Sequence, residues 1–197
     1  MNPALQIALL VLQTVGGLYV LILTLRFLLH TARADYYNPI SQTIAKLTNK
    51  PLLPLRRIIP GFGGLDLANL ALAYLVQFAT VYLSCLLFGM TNPLTALMWA
   101  GLGLVSMICY IYFVAMIVMI IVSFVAPQSR HPFVVLAIQL VQPICAPFQR
   151  ILPSMGGLDF SPILVFLMLN IARILIESAA AAIGAVGQAA QLIPGLM

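Results

Sequence analysis

The sequence predicts an all-α membrane protein with four transmembrane helices, arranged as two parallel helix–loop–helix repeats. The chain of 197 residues is 63% hydrophobic and only 7% charged, with a mean hydropathy of +1.12. Its apolar residues lie in long blocks, and a helix needs about 20 such residues to cross a bilayer. Two loops of similar sequence separate the blocks, which indicates an internal duplication.

Four apolar blocks are predicted to span the membrane, over residues 4–29, 67–88, 95–125 and 162–183. Backbone polar groups in lipid must bond internally, so each block should be a helix. The first block has no Lys or Arg before it and exceeds the core of a signal peptide, which predicts an uncleaved span. The third is longer than the bilayer requires and should tilt or project.

The basic residues predict the orientation. Loops 31–66 and 126–161 hold most of the nine Lys and Arg residues, whereas the turn at 89–93 and both extreme termini hold none. The positive-inside rule therefore predicts that both loops are cytoplasmic and that both termini lie on the other side of the membrane. The charges form no binding stripe, so lipid is the expected partner and nucleic acid is not.

The two loops match at one constant offset. RRIIPGFGGLD at 56–66 corresponds to QRILPSMGGLD at 149–159, and NPISQTI at Asn38 corresponds to HPFVVLA at His131. Both loops follow a span and lie on the same predicted side, which favours a parallel over an inverted duplication. The repeats are predicted to cover residues 1–93 and 94–197.

Each loop is predicted to contain a further helix, because Pro39 and Pro132 each follow a candidate N-cap residue. The first helix is amphipathic and should lie at the membrane interface. The second, PFVVLAIQLV, is almost wholly apolar but too short to span, which favours a re-entrant or deeply embedded helix. The proline-rich segments that follow, PLLPLRRIIP and PICAPFQRILP, are predicted to be extended.

The first candidate site is the Arg–Pro–Gly-Gly–Asp motif that both loops contain. Its ionisable members are Arg57 and Asp66 in the first copy and Arg150 and Asp159 in the second. Each Asp directly precedes a span, where a carboxylate can cap free N–H groups. The motif is therefore either a structural cap and turn or a set of Arg–Asp pairs that fix both loops around a shared pocket.

The second candidate site is in the last span, where Arg173 and Glu177 share a helix face with Asn170. Ionisable groups at membrane depth are costly and usually face a partner or a water-filled path. One turn apart, the two charges can also simply neutralise each other. The alternatives are thus a structural pair and an ion path or polar partner site.

The third candidate is a polar cluster at the end of the first span, made of Arg26, Arg33, Asp35 and Asn38. The second copy has no charge at the corresponding positions. An asymmetric charged edge can dock a protein or anionic lipid headgroups. Snorkelling and control of topology are the alternative explanation.

Enzyme motifs are absent from the sequence, including a P-loop, a nucleophile elbow and a dinucleotide fingerprint. Four acidic residues leave little for acid–base catalysis. Three cysteines and two histidines show no metal-ligand spacing. The chain is therefore expected to be no enzyme and to have no cofactor, no metal site and no catalytic residues.

RADYYNPISQ, PLLPLRRIIPGFGGLD and PFQRILPSMGGLD resemble the YggT/YlmG family of bacterial and plastid membrane proteins. The resemblance covers nearly the whole chain in the duplicated proteobacterial form, although the second copy departs from the R-A-D-x-x-N-P element. It implies association with osmotic and envelope stress, or with cytochrome maturation and nucleoid distribution in plastids. These roles favour a non-catalytic scaffold or assembly factor with a membrane or cytoplasmic protein partner. The alternative is a small ion channel or transporter, acting as a homo-oligomer.

Overall fold

The computed structural model describes residues 2–126, 128–151, 161–185, 190 and 192–196. In these ranges the chain forms six helices, which are α1 Pro3–Thr31, α2 Pro39–Ile58, α3 Leu67–Leu87, α4 Pro93–Val125, α5 Pro132–Ile151 and α6 Ser161–Ala182. All except α2 are long and apolar enough to cross a membrane, by length and composition. The chain is therefore a multi-pass membrane protein.

Three helices begin at an Asn-Pro pair, and the side chain of each Asn caps the helix. Asn2, Asn38 and Asn92 accept hydrogen bonds from the N–H groups of Ala4, Ile40 and Leu94, at 3.0, 2.9 and 3.0 Å. Asn fills this position well because its side-chain oxygen satisfies a free N–H while Pro supplies a helical φ. At α5 the corresponding residue is His131, whose Nδ1 accepts from the Phe133 N–H at a longer 3.4 Å.

The predicted extended segments are helical over residues 51–58 and 143–151, which corrects that prediction. Pro51 and Pro54 lie inside α2, and Pro143 and Pro147 lie inside α5. Spacings of three and four residues put both prolines of a helix on one face, so the lost hydrogen bonds fall on one side only. With its prolines included, α5 is long enough to be a candidate span, which the shorter predicted segment was not.

The helices pack in the same order within each copy. α1 packs along α3 and α4 along α6, while α2 and α5 each contact both long helices of their own copy. The two copies join where α3 packs on α4. We call the end of the bundle that carries residues 31–66 and 128–150 the loop end.

Among the described glycines, Gly16 has the least space for a side chain, and it lies where α1 packs against α3. A Cβ atom added at Gly16 would lie 2.3 Å from Oγ1 of Thr80, closer than two atoms can approach. The backbone of α1 therefore reaches α3 directly at this point.

Candidate functional site

The two loops meet at the loop end through the first turns of α2 and α5. Asn38 Nδ2 donates to the Pro132 carbonyl oxygen at 2.8 Å, while its own Oδ1 caps α2. The Asp35 backbone N–H donates to Oε1 of Gln139 at 3.0 Å. The structure thus brings two predicted site residues, Asp35 and Asn38, into one junction between the copies.

The carboxylate of Asp66 is the N-cap of α3 and is buried. It accepts from the Asn69 N–H at 3.2 Å and forms an ion pair with Arg56. Burial by itself would raise the pKa of Asp66, but the hydrogen bond and positive charge of Arg56 outweigh it, so the pKa lies below its ordinary value. Both proposed roles of this Asp, cap and ion pair, are therefore present in the first copy.

The partner of Asp66 is Arg56 rather than Arg57, which is exposed. Successive residues of a helix point about 100° apart, so only one of two adjacent arginines can face α3. The second copy has Gln149 where the first has Arg56. Arg150 is exposed, and Asp159 lies outside the described residues.

The Gly-Gly step of the first motif makes a tight turn. The backbone groups of Phe62 and Leu65 exchange hydrogen bonds at 3.2 and 3.0 Å. Gly63 and Gly64 between them have φ of 62° and 83°. A two-residue turn with both φ values positive strongly favours glycine, so the first copy of the motif contains a turn.

Arg26 ties the end of α1 to the middle of α2. Its guanidinium donates to the Ala45 carbonyl oxygen at 3.3 Å, to Asn49 Oδ1 at 2.8 Å and to Thr48 Oγ1. The sequence placed Arg26 in a polar cluster but did not predict this link. A signal was present, because the second copy has Met119 and Val141 where the first has Arg26 and Thr48.

The predicted pair in the last span is formed. Arg173 Nε donates to Glu177 Oε1 at 2.8 Å, and the two side chains are 56% and 45% exposed. Arg173 and Asn170 also line a cavity of about 790 Å³ to which α1, α4 and residues 193–196 contribute. Glu177 is not among the residues that line it. In the described ranges, no group of three or more His, Cys, Asp or Glu residues could hold a metal ion.

A duplicated bundle of apolar helices, with polar motifs gathered at one end, defines a multi-pass membrane protein with an internal repeat. The CCB3/YggT family model matches residues 5–87 and again residues 98–180. The chain therefore belongs to the CCB3/YggT family, and the resemblance seen in its motifs is confirmed.

Relatives match over most of their length. An uncharacterized protein of Pseudomonas aeruginosa is 44% identical over 86% of this chain and 87% of its own. The uncharacterized protein YggT of Escherichia coli K12 is 38% identical over 94% of each chain. An uncharacterized protein of Vibrio alginolyticus is 37% identical over 83% of this chain and 90% of its own. No solved structure matches the chain.

Proposed function

We propose that this protein is a non-catalytic scaffold or assembly factor of the inner membrane, linked to envelope or osmotic stress. In this proposal both loops face the cytoplasm and both termini face the periplasm. The loop end docks a protein partner at the membrane surface. Family membership and the geometry of the loop end support the proposal.

The observation that carries it is a set of large side chains on the first loop that no described residue covers. Tyr37 is 84% exposed, Ile58 is 80% exposed and Phe62 is 79% exposed. Arg57, which precedes Ile58 in the sequence, is exposed as well. Tyr and Arg are the residues that most often carry the binding energy of protein interfaces.

These side chains stand on a rigid frame. Asp35 Oδ1 accepts from the Tyr37 N–H at 2.8 Å. The Gly-Gly turn fixes Phe62, and the ion pair of Arg56 with Asp66 ties the end of α2 to the start of α3. A preorganised surface loses little entropy on binding, which suits a docking site.

Site-specific photocrosslinking in cells tests the proposal. A photoreactive residue at position 37 or 62 should give a discrete protein adduct. A photoreactive residue at Val15, which is 64% exposed on the apolar helix α1, should give only lipid. Replacing Arg57 and Arg150 together with Gln should abolish the adduct while the protein still inserts. Adducts that are the same from all three positions, or that survive the double replacement, would contradict the docking surface.

The link to stress has its own test. Cells that carry Tyr37→Ser and Phe62→Ser should grow like a deletion strain after an osmotic upshift, although the variant reaches the membrane in normal amounts. A matched strain with Val15→Ser should grow like the wild type. If the deletion strain itself grew normally after the upshift, the proposed link to stress would be wrong. That result would not contradict the proposed docking surface.

A second candidate function is a small oligomeric channel or transporter, which the cavity beside Arg173 favours. An arginine beside a cavity at membrane depth is typical of an ion path. Purified protein in liposomes should then carry an ion flux that Arg173→Ala reduces and Arg57→Gln does not. Absence of flux under every imposed gradient would eliminate this function.

A further inference from the structure

A second cavity, of about 780 Å³, lies between the end of α1 and α2 at the loop end. We call it the basic pocket. Its polar lining includes three arginines, an imidazole and a hydroxyl, from Arg26, Arg33, Arg56, His30 and Ser41. Of the residues that the structure describes, no carboxylate lines it.

The charge in the basic pocket is not balanced from inside the protein. Arg56 is neutralised by Asp66, which lies next to the pocket. Arg26 bonds only to neutral groups of α2. The backbone N–H of Arg33 donates to the His30 carbonyl oxygen at 3.1 Å, but its guanidinium has no hydrogen bond or ion pair with a described residue. The positive charges of Arg26 and Arg33 therefore have no carboxylate partner among the described residues. In a concave site such charges repel each other, and a bound anion would relieve the repulsion.

Arg33 has an unusual backbone for a residue with a side chain. Its φ is +53°, and it is the only described residue other than glycine with a positive φ. It follows α1, and the adjacent Ala34 N–H closes the helix end on Leu29 at 2.9 Å. Glycine would fit this helix-ending position at lower energy, so the fold here holds a guanidinium at some conformational cost.

Ser41 adds a neutral donor. Its hydroxyl oxygen is buried and has no hydrogen-bond partner among the described residues, although the residue lines the pocket. A buried hydroxyl without a protein partner is available to hydrogen-bond to water or to a bound ligand.

We propose that the basic pocket binds a phosphate group, carried either by an anionic lipid headgroup or by a soluble phosphate. Planar guanidinium groups pair with phosphate oxygens in a bidentate manner. Basic pockets beside the ends of membrane helices bind anionic headgroups. The volume accommodates a phosphodiester with its glycerol, and Arg33 with Ser41 supplies donors that the fold itself does not use.

Thermal unfolding in a neutral detergent tests the site. The probes are short-chain phosphatidylglycerol, inorganic phosphate and phosphatidylcholine of the same chain length. We expect the melting temperature of the wild type to rise with phosphatidylglycerol, with phosphate, or with both. A rise with phosphatidylglycerol alone identifies a lipid headgroup as the source, and a rise with phosphate alone identifies a soluble compound. No rise with either, or an equal rise with the net-neutral phosphatidylcholine, would overturn the proposal.

The variant Arg33→Gly separates binding from folding, because glycine suits the backbone at this position. It should keep or exceed the stability of the wild type without ligand and bind the probe about tenfold more weakly, the effect of one charged hydrogen bond. Arg57→Gln is the matched control, since it removes an exposed arginine outside the pocket, and its affinity should be unchanged. Ser41→Ala should weaken binding less and leave the fold intact. Equal losses in Arg33→Gly and Arg57→Gln would show diffuse attraction to surface charge and sink the proposal.

Discussion

Helices α3 and α6 occupy equivalent places in the two repeats, yet only one of them has its polar face covered. At the offset that aligns Pro39 with Pro132, Gln77, Thr80 and Ser84 of α3 correspond to Asn170, Arg173 and Glu177 of α6. The three side chains of α3 are buried. Arg173 and Glu177 are about half exposed.

Two of the three side chains, those of Thr80 and Ser84, can be buried because their own helix satisfies their hydroxyl groups. Thr80 and Ser84 donate to carbonyl oxygens one turn earlier, at 2.9 and 2.8 Å. Gln77 Nε2 donates to the Pro194 carbonyl oxygen at 2.8 Å. Arginine and glutamate are too long and too strongly hydrated to be buried in this way.

The facing helices differ in the same sense. α1 presents Gly16 to Thr80, and the corresponding position of α4 is Cys109, which lines the cavity beside Arg173. The first copy thus pairs a residue without a side chain with a small polar one. In the second copy the corresponding residues are Cys109 and Arg173, and both line a cavity. The comparison teaches that the duplicated units share a fold but not their interior chemistry.

The largest expected effect comes from disturbing the close contact of the first copy. Gly16→Ala places a Cβ atom against Thr80 and should destabilise the protein by about 1–3 kcal/mol, the usual cost of overpacking. Gly101→Ala is the matched control. Its Cβ would lie 3.8 Å from Tyr74, so it should be neutral or stabilise by about 0.5–1 kcal/mol through helix propensity. Thermal unfolding in detergent measures both. If the two variants were equally stable, the close contact between Gly16 and Thr80 would not distinguish the first copy from the second.

Four of the five candidate spans could be predicted from sequence, because hydrophobic length alone defines them. Predicted blocks 4–29 and 67–88 became helices Pro3–Thr31 and Leu67–Leu87. The later blocks 95–125 and 162–183 became Pro93–Val125 and Ser161–Ala182. The continuation of α2 and α5 through their prolines was missed, since a local rule for proline ignores support from neighbouring helices.

The candidate sites depended on tertiary information that a sequence pattern lacks. Whether Arg56 or Arg57 pairs with Asp66 depends on which side of α2 packs against α3, and the sequence alone does not give that orientation. The cavity beside Arg173 is a gap between helices, and no residue pattern encodes a gap. The Arg26 link to α2 was not predicted, although the second copy has Met119 and Val141 in place of Arg26 and Thr48. The Asp66 cap was predictable, because an Asp directly before a span has a local role.

The second-largest effect concerns the Arg56–Asp66 ion pair, which the second copy cannot form because it has Gln149 in place of the arginine. Asp66→Asn keeps a cap oxygen but removes the charge that pairs with Arg56. It should cost about 1–2 kcal/mol at neutral pH, since Arg56 is partly exposed to solvent. Arg57→Gln should change stability by less than about 0.5 kcal/mol. A loss in Arg57→Gln as large as that in Asp66→Asn would mean that general loop charge, not the pair, stabilises the first copy.

The pH dependence of the same variant sharpens the test. The pKa of Asp66 is lowered in the folded protein from an ordinary value of 3.8. A depressed carboxyl pKa stabilises the fold above the unfolded-state pKa, and this contribution disappears as the pH falls through the lower folded-state pKa. The advantage of the wild type over Asp66→Asn should therefore be full above about pH 5 and shrink below about pH 4. An advantage that persists unchanged into that acid range would contradict the ionised pair.

The smallest effect probes the uncovered face of α6. Arg173→Leu leaves Glu177 without its partner, and Glu177→Leu does the reverse, whereas the double variant removes both charges. In a double-mutant cycle the pair should show a favourable coupling of about 0.3–0.5 kcal/mol, the value for exposed pairs one turn apart, and more if lipid surrounds it. Thr80→Val and Ser84→Ala, at the equivalent positions of α3, should show little coupling because each hydroxyl bonds to its own helix.

Melting temperatures measured in detergent and again in lipid nanodiscs separate the two environments. A coupling at α3 as strong as that at α6 would mean that the two polar faces are held in the same way after all.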